Sequence, residues 1–190
     1  MKFIRTKIPD IIILEPKIFS DDRGYFSETF NQVELQKFVK FPVNFVQDNE
    51  SKSSFGVLRG LHYQTPPFAQ SKLVRVIRGR VLDVAVDLRV NSPTFKQHVS
   101  IELTEKNNKQ LFIPRGFAHG FVVLSDVAIF NYKVDNCYDK NSERGIAFND
   151  SVLGIDWVVK KELLKLSSKD QHQPLFENAE YFHDLESLYL

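Results

Sequence analysis

Residues 72–89 read KLVRVIRGRVLDVAVDLR, and their spacing decides the fold. After Gly79, the residues Leu82, Val84, Val86 and Leu88 alternate with Val81, Asp83, Ala85 and Asp87. A period of two is strand spacing, not helix spacing. Arg78-Gly79 breaks the run, which predicts a hairpin here. Working outward, apolar runs recur at residues 99–103, 110–114, 120–124 and 128–134. Turn formers separate them: Asn107-Asn108, Arg115-Gly116 and Ser125-Asp126. Many short strands at such spacing predict a mainly β chain, a sandwich or an antiparallel barrel. Helical patterns stay on the flanks, at residues 31–38 and 157–166, the second with Leu163, Leu164 and Leu166 apolar and Ser167-Ser168 at its exit. The polar cluster SKSS at residues 51–54 predicts a loop. Asp83 shares a strand face with Val81, Ala85 and Asp87; it is either a solvent-facing carboxylate or part of a polar site inside a barrel.

Composition narrows the function classes. The 190 residues favour one domain spanning 1–190, and a hydrophobic fraction of 43% can build a core. Seventeen Phe against one Trp and one Met point to a Phe-rich interior or interface. With 25 cationic and 24 anionic side chains, net charge +1, no broad nucleic-acid or membrane footprint is expected. Cys137 is the only cysteine, so no intrachain disulfide forms, which fits a reducing compartment. The apolar run at 11–14 lies between Pro9 and Pro16, too short for a signal core or a bilayer span. The expectation is a cytoplasmic protein.

Two segments carry the chemistry. GVLRGLHYQ, residues 56–64, sets Arg59, His62 and Tyr63 within one strand length, and PRGFAHGF, residues 114–121, sets His119 beside Arg115. Paired His and Arg on β-like backbone predict a pocket for an anionic ligand with proton transfer inside it. The candidate anion binders are Arg23, Arg59, Lys72, Arg115 and His119. His62 is followed by Tyr63 and Gln64, so the two histidines one residue apart that a barrel metal site wants are missing, and no metal is expected. Tyr132 and Tyr138 share a face if their strand is regular. Cys137 between them reads as a small buried hydrophobe.

These segments, taken together, resemble the dTDP-4-dehydrorhamnose 3,5-epimerase family over nearly the whole chain. The resemblance rests on DDRGYFSETF (21–30), QDNESKSSFGVLRGLHYQ (47–64), the run at 72–95, FIPRGFAHGFVVLS (112–125), YKVDNCY (132–138) and ERGIAFNDSVLGIDW (143–157). It implies an antiparallel cupin-type β-barrel (jelly roll) with a few short flanking helices. It implies epimerisation of a dTDP-4-keto-6-deoxysugar through an enolate, without nicotinamide, flavin or other cofactor. By resemblance, His62 is the base, Asp170 in SSKDQHQP orients it, Tyr132 returns a proton on the opposite face, and Lys72 sits near the C4 oxygen. Arg23, Glu28, Gln47, Asp48, Asn49, Arg59, His119, Glu143 and Lys169 match nucleotide-sugar binders, and Tyr138 the ring stacked on thymine. Members of this family are homodimers, and the run at 11–14 is a candidate for the interface. A 3-epimerase or ketoisomerase acting on a related dTDP-4-keto-6-deoxysugar stays open, because such relatives keep much of the same motif set. Two positions depart from the family pattern: Phe148 stands where tryptophan is common, and Lys96 where glycine is common.

Overall fold

The computed structural model describes residues 1–184 and 187–189. In chain order the strands are β1 (Lys2–Arg5), β2 (Ile12–Glu15), β3 (Ile18–Asp21) and β4 (Gly24–Ser27), then, after helix α1 (Gln32–Phe38), β5 (Gln47–Ser54), β6 (Leu58–Gln64), β7 (Lys72–Arg78) and β8 (Arg80–Asp87). They continue with β9 (His98–Thr104), β10 (Gln110–Ile113), β11 (Phe117–Val123), β12 (Val127–Val134) and β13 (Glu143–Gly145), and a short helix α2 (Ser168–Gln171) follows. A six-stranded sheet runs β1-β2-β10-β7-β12-β5 and a five-stranded sheet β13-β6-β11-β8-β9. Their ladders are antiparallel. The arrangement is the mainly antiparallel, cupin-type fold expected from the spacing and the resemblance.

Phe121 of β11 stacks on Phe130 of β12, ring centroids 4.2 Å apart, within a core that draws Val74 and Val76 from one sheet and Val81 and Ala85 from the other. A second core lies on the other face of the five-stranded sheet, where Leu82, Val84 and Val86 meet Trp157, Phe176 and Phe182. β8 is therefore covered on both faces, which is why its alternation is almost wholly apolar. Asp83 falls on the Val81–Ala85 face and is fully buried in the interior.

Several local expectations are corrected. Residues 72–89 do not form a hairpin: β7 pairs with β10 and β12, whereas β8 pairs with β9 and β11. Only Gly79 separates the two strands, and a hairpin needs a loop of at least about two residues. Gly79, at φ +83°, is instead the corner where the chain leaves one sheet for the other. SKSS is not a loop but the end of β5, an edge strand whose small polar residues pair in register with β12.

The segment 157–166 holds only a 3₁₀ turn, Lys161–Leu163. Val158 takes a left-handed φ of 55°, and the Lys165 backbone pairs with β6: its N–H donates to the Gly56 carbonyl (2.8 Å) and its carbonyl accepts from Leu58 (3.0 Å). Pairing of the Lys165 backbone with the chain that leads into β6 excludes a helix through that residue. The other flank behaves as expected: Asn31 caps α1 by accepting from the Glu34 N–H at 3.1 Å. Ile11, Ile12 and Leu14 are buried within their own chain, so these side chains are not available to an interface.

Candidate active site

A cavity of about 600 Å³ opens between the two sheets, a size that suits a small-molecule ligand. One wall is set by glycine. A Cβ at Gly60 (φ +131°) would stand 2.5 Å from the Gly120 Cα, so β6 and β11 approach each other only because both positions lack a side chain. The register shifts just beyond, between His119 and Phe121, and leaves His62 directly opposite His119. Strand bulges of this kind re-aim side chains at sites.

The His62 Nε2 lies 2.5 Å from Asp170 Oδ1, with the imidazole 29% exposed and the carboxylate 4%. Asp170 is held in turn by Ser167, the N-cap of α2: the Asp170 N–H donates to Ser167 Oγ at 3.1 Å, and that hydroxyl donates to Asp170 Oδ2 at 2.9 Å. Burial pushes the Asp170 carboxyl up, but the hydrogen bond and charge of His62 and the Ser167 hydroxyl outweigh it and hold the group below its ordinary value.

The opposing wall belongs to the six-stranded sheet. Lys72 opens β7 and directs Nζ to the His62 carbonyl at 3.5 Å. Burial lowers its pKa to about 8, against the pull of the Asp83 and Glu143 carboxylates. Tyr132 of β12 lines the same cavity, and its hydroxyl has no hydrogen-bond partner among the described residues. Burial raises its phenol, Arg59 opposes that, and Glu143 adds to it. Behind them His119 Nε2 meets both oxygens of Asp83 at 3.0 and 2.9 Å. Asp83 thus belongs to the interior site, resolving what the strand period left open.

Of the other expected residues, Asn49, Arg59 and Lys169 also line the cavity. Gln47 donates to the Asn49 side chain at 2.8 Å. Glu143 takes an ion pair from Lys169 (2.5 Å) and a hydrogen bond from Tyr138 (2.8 Å), joining these three beside the mouth. Tyr138 is exposed and lies beyond the end of β12, so it does not share a strand face with Tyr132. Arg23, Glu28 and Asp48 stand apart from the cavity. Arg23 pairs with Asp21 on the β3–β4 hairpin, Glu28 accepts from Asn31, and Asp48 accepts from Lys133. Arg115 is also elsewhere, bonded to Asp135 and to the Leu188 carbonyl. Cys137 is exposed, not buried.

Ser167, expected only as a helix exit, and the stacked Phe121 and Phe130 also line the cavity. Ser167 carried a usable signal, the S-x-x-D spacing of a helix start; the two Phe read only as core. Among the described residues no group of three or more His, Cys, Asp or Glu is arranged to hold a metal ion.

The comparisons with known proteins agree with one another. Residues 5–178 match the model of the family described as dTDP-4-dehydrorhamnose 3,5-epimerase. The chain is 54% identical over 182 residues to the dTDP-4-dehydrorhamnose 3,5-epimerase of Shigella flexneri, covering 96% of this chain and 99% of that one. The crystal structure of the dTDP-4-dehydrorhamnose 3,5-epimerase from Elizabethkingia anophelis superposes with a TM-score of 0.92 at 51% identity, covering 95% of this chain and 99% of the other. The dTDP-6-deoxy-D-glucose-3,5-epimerase of Legionella pneumophila, solved with dTDP-4-keto-L-rhamnose, also gives 0.92, at 44% identity over 96% and 98% of the two chains. With this fold, this cavity and these likenesses, the chain belongs to the dTDP-4-dehydrorhamnose 3,5-epimerase family.

Proposed function

We propose that this protein epimerises C3 and C5 of dTDP-4-dehydro-6-deoxy-D-glucose, giving dTDP-4-dehydro-L-rhamnose on the route to dTDP-L-rhamnose. The observation that carries the reading is a pair of proton-transfer groups on opposite walls of one cavity: His62, held by Asp170 on the five-stranded side, and Tyr132 on the six-stranded side.

C3 and C5 both flank the C4 ketone, so each proton is acidic only through an enolate. His62 takes the proton from carbon, the electron pair moves onto the C4 oxygen, and the Lys72 ammonium meets the charge that develops there. Tyr132 then gives its proton to the same carbon from the other face, inverting it. A single group would return the proton to the face it came from. His62 gives its proton to solvent and the Tyr132 phenolate regains one, which resets the site. Electrons never leave the sugar, so the chemistry asks for no redox cofactor. Positioned acid and base supply about 10²–10⁴-fold each, and stabilising the enolate oxygen roughly 10²–10³-fold more.

Arg59, Asn49, His119 and Lys169 hold the nucleotide-sugar, with Gln47, Glu143 and Tyr138 beside them. Arg23, Glu28 and Asp48 belong to the same binding set by resemblance, yet lie outside the cavity of their own chain. A homodimer reconciles part of this: the β3–β4 hairpin exposes Phe19, Tyr25 and Phe26 and pairs with no other strand among the described residues, so a second chain can cover it and receive Arg23. Light scattering of the purified protein tests this; a monomer at micromolar concentration sinks it. Among the described residues no helix is long and apolar enough to cross a membrane, and the lone cysteine and near-zero net charge support a cytoplasmic location.

The deciding experiment is proton NMR of dTDP-4-keto-6-deoxyglucose with the protein in D₂O. Deuterium at both C3 and C5 is the expected result. Deuterium at C3 alone would reassign the protein as a 3-epimerase, a shifted ketone would mark a ketoisomerase, and no exchange would overturn the reading.

A further inference from the structure

His119 is bound to the interior in a way that an anion-binding cation would not need. Its Nε2 sits between the two oxygens of Asp83, a carboxylate with no solvent exposure, while the imidazole itself is 8% exposed. A ring nitrogen between two carboxylate oxygens must carry the proton, since a carboxylate offers none. The other nitrogen, Nδ1, has no protein partner among the described residues, and the ring lines the cavity. We infer that Asp83 is a positioning residue that fixes His119 as the neutral Nε2–H tautomer, so that Nδ1 presents a lone pair to the cavity and accepts a hydrogen bond from a sugar hydroxyl.

The surroundings favour the neutral ring. Burial is the largest influence on His119 and lowers its pKa; Asp83 from β8 opposes this, and the charges of Lys72 from β7 and His62 from β6 push it down further. The Phe130 ring of β12 lies nearly parallel to it at 6.2 Å and offers no counter-charge. An imidazolium would add a third cation beside Lys72 and a protonated His62 at the moment the base has taken its proton. A neutral acceptor avoids that and reads a hydroxyl, which the diphosphate lacks. A site built to bond a hydroxyl discriminates strongly against ligands without one. This inference rests on the epimerase reading for the identity of the ligand, but not for the tautomer.

The test is a long-range ¹H–¹⁵N spectrum of the full chain labelled with ¹⁵N-histidine, near neutral pH, with His119 assigned by His119→Gln. The expected wild-type pattern is Nε2 protonated and Nδ1 bare. Adding dTDP-rhamnose should move the Nδ1 resonance toward hydrogen-bonded values, and dTDP alone should not. Asp83→Asn, whose amide can donate to Nε2, should convert the ring to Nδ1–H and lower kcat/KM at least about tenfold, with dTDP affinity unchanged. An imidazolium or an Nδ1–H ring in the wild type overturns the inference. So does an identical Nδ1 response to dTDP and to dTDP-rhamnose, or a converted tautomer with undiminished turnover. The wild-type spectra decide the matter even where Asp83→Asn does not fold. Failure of the epimerase reading appears separately, as absent deuterium exchange at C3 and C5.

Discussion

His62 and His119 face each other across neighbouring strands, and each ring is held by a different carboxylate, Asp170 for one and Asp83 for the other. The pairs differ in access. The His62 ring keeps contact with solvent at 29% exposure, whereas the His119 ring is 8% exposed, on the cavity side, and Asp83 behind it is fully buried. A base that must exchange its proton each turnover needs a route to water; a residue that only positions substrate does not. In the proposed mechanism the same local motif serves two purposes, separated by burial.

Removing the accessible pair should abolish proton transfer without emptying the site. His62→Ala is expected to lower kcat by roughly 10²–10⁴-fold, with dTDP binding retained in calorimetry. Asp170→Asn should lower kcat less, because the ring keeps a hydrogen-bond partner but loses the charge that stabilises its protonated form. Turnover near wild type in His62→Ala would remove the residue from its role.

Lys72 makes a prediction about pH and stability together. Its pKa in the fold, about 8, lies below the ordinary lysine value of 10.5. The unfolded chain thus binds more protons than the folded one between those values. Stability then rises with pH from about 8 to 10.5, and the cost of the buried charge is fully present below 8. Lys72→Met should accordingly stabilise the fold at pH 7, by about 1–3 kcal/mol once partial exposure is allowed for, while turnover collapses. In the wild type, kcat/KM should fall as pH rises through about 8 and the ammonium is lost. Denaturant melts and a pH–rate profile check both; a less stable Lys72→Met would show that the lysine is better solvated than its surroundings suggest.

Strand periodicity identified β8 but could not say which sheet it joins, because pairing is a long-range choice; the hairpin at Gly79 failed for that reason. Asp83 was legible as a carboxylate on a strand face, yet its partner His119 is 36 residues away and only the β8–β11 register joins them. His62 and Asp170, 108 residues apart, were linked by family resemblance alone. Arg115 looked equivalent to Arg59 because both stand near a histidine. The structure separates them, since Asp135 claims Arg115 at 3.1 Å while Arg59 remains on the cavity wall. Ser51–Ser54 misread because an edge strand tolerates polar residues that a central strand would not.

Tyr138 tests the base-binding end of the site. It is exposed, and its hydroxyl donates to Glu143, which also holds Lys169. An exposed ring anchored at its hydroxyl is a suitable platform for a nucleobase. Tyr138→Ala is expected to weaken dTDP binding by about 1–3 kcal/mol, and Tyr138→Phe by less, since the stacking face survives. Equal losses in calorimetry would assign the effect to the Glu143 contact instead of the ring.

Lys96 offers a prediction remote from the chemistry. Its φ is 69°, the left-handed region that costs an ordinary residue roughly 1–2 kcal/mol. Its backbone N–H donates to the Asp87 carbonyl at 3.0 Å, which fixes the turn, so the strain cannot relax by moving the chain. The side chain returns part of the cost: Nζ lies 5.4 Å from the Phe95 ring centre and 5.7 Å from that of Phe176, contacts worth about 0.5–1 kcal/mol at a surface. Glycine removes the strain and loses those contacts, and it also enlarges the freedom of the unfolded chain. The balance favours Lys96→Gly by under about 1 kcal/mol, whereas Lys96→Ala keeps the strain, loses the contacts and should destabilise by about 0.5–1 kcal/mol. Activity should be unchanged in both, as neither touches the cavity. Thermal melts of the two variants decide it: glycine below alanine in Tm would mean that the left-handed φ stores less strain than the freedom glycine adds to the unfolded chain.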